Sequence, residues 1–407
     1  MLLQLCEPEH QWSGRDNRGR HRRLLFRLTV SGEQVNQQNA DLFSCIDFGA
    51  TAPLGTAVRG ADNLILGCLR SPAGMNVLLV CEDPSFGWYD AAAPNLVHQR
   101  LKHHGAKVSR FMVDLPTNSI NSALEAAINA SDAVIFFARI GDQGRFKSRY
   151  AGRQSVMSYA LNIDMLASGY GTLDHQIMQA FKEAIDTITL GADRIHVTCP
   201  LGTSFSGGPG DSLETGNDVV IDRFPMGIPR PVMNDGFFGK VVLARYLTPT
   251  GSRVYHPDTL TLHTPVTAHF EGNRITGLTG PADMVRAVTA HYQHIADAFD
   301  LDGWYIDSWH AGIHPLMAYD MPVAHDPVRW SGAGFQHPRL LHFHTCGSAP
   351  PGEISWMVVD PTITIDGVAL WENGRLHPER FAPTRRILDM APDLAAACKH
   401  QNRQIGL

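Results

Sequence analysis

Two rhythms of apolar positions run along this chain, and they change near its middle. Residues 76–81 (NVLLVC) and 132–138 (DAVIFFA) are short continuous apolar runs, the pattern of strands buried on both faces. A further strand is expected at 106–113, and one at 194–198 closes the set. Helical segments are expected at 93–104, 120–129, 154–167 and 173–190. Strands alternating with helices predict an open, mostly parallel sheet with right-handed crossovers, so residues 71–200 are expected to form an α/β domain. Residues 1–70 read as strands and turns, with 23–30 the clearest apolar run, and form an N-terminal extension without a chemical motif.

Past Cys199 the composition shifts toward glycine, proline and short alternating runs. Residues 201–210 (LGTSFSGGPG) make a loop, and strands are expected at 218–221, 241–247 and 260–270. An amphipathic helix covers 282–299, a hairpin 362–373, and a helix ends the chain. Residues 304–310 (WYIDSWH) and 339–344 (RLLHFH) are apolar runs that finish in histidine. The fold class expected is therefore α/β: an open, mostly parallel sheet domain, then a second α+β domain over 201–407 that carries a metal site.

Composition removes several function classes. With 44% hydrophobic and 18% charged residues the 407-residue chain is ordinary globular protein. Its net charge of −6, with no basic run longer than RGRHRR at 18–23, speaks against a nucleic-acid footprint. No apolar stretch approaches the length of a membrane span and the N-terminus lacks the pattern of a signal peptide, so a cytoplasmic protein without membrane contact is expected. The seven cysteines are odd in number and scattered without a CxxC pair, which suggests reduced thiols. The residues after the first strand, EDPSFG at 82–87, lack the glycine pattern of a dinucleotide site, and no phosphate-binding GxxxxGK[ST] occurs. Residues 139–145 (RIGDQGR) follow the third strand, where open sheets often bind ligands.

Histidine changes the picture. Six of the 20 histidines lie between 310 and 344, where an even spread would place fewer than two. In HFH at 342–344, period-two alternation puts both imidazoles on one face of a strand. Two neutral nitrogens need a third partner, and DSWHAGIHP at 307–315 offers His310 and His314. His310 is the preferred metal ligand, because an extended backbone gives it the same face as Ser308. His314 is the candidate catalytic residue, orienting substrate or acting as a base. Three imidazoles suit iron, zinc or copper and leave coordination positions open. His263, His269, His291 and His294 read as structural or solvated. Trp304, Trp309, Trp330 and Trp356 could wall a site, and Arg230, Arg245, Arg329 and Arg339 could clamp a carboxylate.

Residues 260–277 (LTLHTPVTAHFEGNRITG), 304–315 (WYIDSWHAGIHP), 341–344 (LHFH) and 360–376 (DPTITIDGVALWENGRL) resemble the family that joins the aminopeptidase T metallopeptidases to 2,5-dihydroxypyridine 5,6-dioxygenase. The first half agrees more loosely, chiefly through 154–167. The resemblance implies a late-strand HxD pair, here His342 and His344 with histidine in place of aspartate. It also implies an earlier Glu or His ligand, and that position holds Ser308, with His310 two residues on. Both departures remove carboxylates that a two-metal hydrolase needs. The function expected is a mononuclear non-haem Fe(II)-dependent oxygenase that takes dioxygen and a small hydroxylated aromatic, heteroaromatic or related chelating substrate. The alternative is an aminopeptidase or amidohydrolase using hydroxide on zinc or another divalent metal, with Asp211, Glu214 or Asp307 as base. Relatives of this kind imply a homodimer.

Overall fold

Continuous apolar runs of the first half become parallel strands. The computed structural model describes residues 54–118, 121–145, 152–209, 219–348 and 352–407. Helix α1 (Leu54–Cys68) is followed by β1 (Asn76–Glu82), α2 (Ala92–His103), β2 (Lys107–Val113), α3 (Ser122–Asn129), β3 (Ala133–Phe137), α4 (Ile140–Gly144) and β4 (Gln154–Ser158). Then come α5 (Ile163–Ala167), α6 (Gly169–Thr172), α7 (His175–Leu190), β5 (Ile195–Thr198), β6 (Ser204–Gly207) and β7 (Asp222–Phe224). The first sheet has the order β2-β1-β3-β4-β7, and every pairing in it is parallel. All five residues of β3 are buried, as a strand covered on both faces requires. Asn121 and Asp174 cap α3 and α7 by accepting from the backbone N–H of Ala123 and Ile177.

Three sequence expectations change here. The helix expected over 154–167 is a strand followed by the short helix α5: Ser155, Val156, Met157 and Ser158 are all buried, so the segment fills an inner strand position instead of presenting one apolar stripe. Strand β5 does not close the parallel sheet; it pairs antiparallel with β6 and with a strand near residue 363. The parallel sheet is closed by β7 instead. Within the segment read as strands and turns, residues 54–68 form α1, whose Ala57, Ala61, Leu64, Ile65 and Cys68 are buried at helical spacing. The apolar run at 23–30 lies outside the described residues, as do Asp211 and Glu214.

The second half supplies β8 (Val232–Met233), β9 (Phe237–Pro249), β10 (Leu260–Glu271), β11 (Arg274–Thr279), α8 (Ala282–Phe299), β12 (Ile306–Ala311), α9 (Pro327–Gly334), β13 (Leu340–Thr345) and β14 (Ile354–Val359). It ends with β15 (Thr362–Ile365), β16 (Val368–Glu372), β17 (Arg375–Leu376), α10 (Ala382–Met390) and α11 (Pro392–Lys399). These strands, with β5 and β6, form an antiparallel sheet ordered β17-β16-β15-β5-β6-β9-β14-β13-β12-β8, from which β10 and β11 branch at β9. Phe205 is central to its core, with ring centroids 5.7 Å from Trp309 and 5.3 Å from Phe343. Both sheets belong to one compact unit. Among the described residues no helix is long and apolar enough to cross a membrane, and the described cysteines are free.

Candidate metal centre

Strands β12 and β13 run antiparallel, with His310 opposite His342 and Ser308 opposite His344. Alternation then divides the residues. Trp309 and Phe343 turn into the apolar core, and the three histidines share the other face. Their ring centroids are 4.2 Å (His310 to His342), 5.0 Å (His310 to His344) and 5.1 Å (His342 to His344) apart. One ligand-capable atom from each lies within 4.8 Å of the others, a span that one metal ion could bridge.

Two of the imidazoles are held in the neutral form. Burial holds the pKa values of His342 and His344 well below the ordinary range, reinforced by His310 and by the guanidinium groups of Arg145 and Arg223. Neutral imidazoles are the form that ligates metal. His310 Nδ1 lies 2.9 Å from the Pro229 carbonyl, which can only accept, so Nδ1 carries the proton and Nε2 the lone pair. The buried Nδ1 atoms of His342 and His344 have no hydrogen-bond partner among the described residues. Phe335 stacks on His342 with centroids 4.2 Å apart and planes 8° from parallel, which fixes that ring.

The trio opens onto a cavity of about 260 Å³ whose wall draws on both halves of the chain. Its lining includes the aromatic rings of Trp88, Tyr159, Tyr255 and Phe335 and the guanidinium groups of Arg139, Arg145, Arg223 and Arg253. Residues 139–145 include the short helix α4, and Arg139, Asp142, Gln143 and Arg145 among them line the cavity. Arg139 is held to buried Glu82 by its backbone N–H and by three guanidinium hydrogen bonds, and its guanidinium lies 4.5 Å from the Trp88 ring centroid. Asp142, whose pKa burial raises, accepts from the Tyr159 hydroxyl at 2.7 Å. Burial pushes the Asp307 carboxyl up to about 6, against the opposing pull of the Ser308 hydroxyl that donates to it at 2.7 Å.

Other candidates lie elsewhere. His314 is buried, its ring 4.8 Å from that of Tyr170, its Nδ1 accepting from the Leu316 N–H, and it is not among the cavity-lining residues. Burial pushes its pKa down to about 3. The divergence follows from Gly312, which ends the extended run so close to the Gln336 and His337 backbone that no Cβ fits. Trp309, Trp330 and Trp356 are core residues, and Trp304 stacks on Tyr292. None of Arg230, Arg245, Arg329 and Arg339 lines the cavity; Arg339 makes a bidentate pair with Asp360. Of the four arginines that do, Arg139 and Arg145 belong to the segment the sequence singled out, whereas sequence reading missed Arg223 and Arg253, which come from separate elements with no common spacing.

A mixed α/β fold with a buried three-histidine cluster inside a cavity defines the class of this molecule. No family model matches the chain, and no curated protein matches it. Among solved structures it is similar to 2,5-dihydroxypyridine dioxygenase from Pseudomonas putida, with a TM-score of 0.54 and 14% identity, covering 82% of this chain and 100% of that one. That likeness is one of fold.

Proposed function

We propose that the protein is a mononuclear non-haem Fe(II)-dependent oxygenase acting on a small hydroxylated aromatic, heteroaromatic or related chelating substrate. The observation that carries the reading is the donor set: one ligand-capable atom from each of three imidazoles lies within 4.8 Å of the others, and among the described residues no carboxylate belongs to the cluster. The fold likeness to a dioxygenase supports the same choice. His310, His342 and His344 would hold the metal. A ferrous ion there would supply Lewis acidity to a chelating oxygen and electrons for dioxygen. Phe335 and the Pro229 carbonyl orient two of the ligands, and the aromatic wall receives a planar ring and excludes water from it. The arginines at the wall, three of them paired with Glu82, Asp142 and Glu353, supply N–H donors that would orient an anionic oxygen of the substrate.

Anaerobic loading with Fe(II) or Zn(II), followed by metal analysis and oxygen uptake with hydroxylated arene acids, tests the reading. The expected result is about one metal per chain, oxygen consumption with Fe(II), and inhibition by Zn(II). Turnover with Zn(II) under strict anoxia would replace it with the hydrolase, since hydroxide on three histidines is a competent nucleophile. His342→Ala and His344→Ala should each lose the metal while the far-ultraviolet circular dichroism stays unchanged.

A further inference from the structure

Strict alternation along β12 would send Asp307 to the same side as Trp309, into the apolar core. It does not go there. Ile306 pairs with Thr345 and Ser308 with His344, so β12 carries one more residue than β13 at this step, and Asp307 is the extra residue of a β-bulge. The bulge re-aims its side chain, and Asp307 lines the cavity beside Ser308 and the three histidines. It is only 4% exposed, a costly place for a carboxylate that serves no purpose. Its Oδ2 accepts the Ser308 hydroxyl at 2.7 Å, which fixes the carboxylate plane and leaves Oδ1 as the acceptor. The bulge itself is anchored, because the Asp307 carbonyl accepts from the Asn234 N–H at 3.1 Å.

We propose that Asp307 is the catalytic base that takes the proton from a hydroxyl group of the substrate bound in this cavity. The inference rests on the oxygenase reading and adds a named residue to it. The substrate O–H bond breaks, an O–H bond forms on Oδ1, and the electron pair stays on the substrate oxygen, which becomes the anion that the arginine donors at the wall would orient. No oxidant enters this step. A base must lose its proton near working pH and regain one from the substrate, and burial brings the Asp307 carboxyl toward that range. Asp307 also differs from the trio in kind: it is absent from the group of atoms able to share one metal, so its carboxylate is left for proton transfer.

The test uses 4-nitrocatechol as a hydroxylated chelating probe with the metal-loaded protein at neutral pH, read by infrared difference spectroscopy. Binding should produce a protonated-carboxyl band that is lost in Asp307→Asn and moves in Asp307→Glu. Asn keeps the side-chain shape and can still accept the Ser308 hydroxyl, so metal content and melting temperature should hold. Its affinity for the probe should fall about tenfold or more, the scale of one lost hydrogen bond to a charged group. Should the Asn variant fail to fold, the wild-type spectrum and the shift in Asp307→Glu decide. Probe binding without the band, or a band unchanged in both variants, would overturn Asp307 alone. Failure of the metal-loaded wild-type protein to bind the probe at all would overturn this proposal together with the oxygenase reading.

Discussion

At the scale of single residues, the register of β12 against β13 separates two side chains that resemblance alone confuses. Ser308 occupies the position where a ligand is implied, but its hydroxyl is committed to Asp307, whereas His310 is the residue beside His342 and His344. His310→Ala is therefore expected to lose the metal and Ser308→Ala to keep it, measured by metal analysis after reconstitution. The opposite outcome would mean that the histidine face has been assigned wrongly. HFH and the nearby His310 were legible from period-two spacing alone. The direction of Asp307 was not, because a bulge is a property of two paired strands and a single sequence displays only one of them.

At the scale of elements, the end of β12 is set by a close backbone approach. A Cβ on Gly312 would collide with the Gln336 and His337 main chain, while the Gly312 carbonyl accepts from the Trp371 indole at 2.9 Å and its N–H donates to Leu340. Gly312→Ala should cost about 1–3 kcal/mol, the usual price of overpacking, visible as a lower urea midpoint. Because the clash adjoins β12, metal affinity should weaken with it. An unchanged midpoint would show that this approach is not tight. Helix and strand were separable in sequence where periodicity was long, as in α8, whose observed bounds match the expected ones. They were confused at 154–158, because a short buried run has no period to read and only its neighbours decide what it becomes.

At the scale of the whole molecule, the two sheets differ in how they were read. Parallel strands β1 and β3 announce themselves as apolar runs, but the pairing of β5 with β15 joins residues about 170 apart, which local pattern cannot foresee. Buried histidines outside the trio couple this packing to pH. Burial pushes His175, lodged between α1 and β7, and His337 down to about 4. Each is depressed below its unfolded value, so the unfolded chain takes up the proton first. Stability is fully present above about pH 6.5 and declines as pH falls toward about 4. One such group costs about 1 kcal/mol between pH 7 and 5.5. Melting temperature should thus drop on acidification, and His175→Gln should flatten that slope; an equal slope in the variant would assign the loss to other groups.

Trp88 has a further consequence. Among the described tryptophans it alone lines the cavity, half-buried under the Arg139 guanidinium, while Trp309, Trp330, Trp356 and Trp371 are enclosed in the core. Indole emission responds to a neighbouring cation and to a stacked ring, so the protein carries its own optical gauge of occupancy. A planar ligand entering the cavity should quench and shift the solvent-sensitive fraction of the emission without disturbing the buried fraction. Trp88→Phe should silence that response, which allows binding to be followed in real time without a label and independently of turnover.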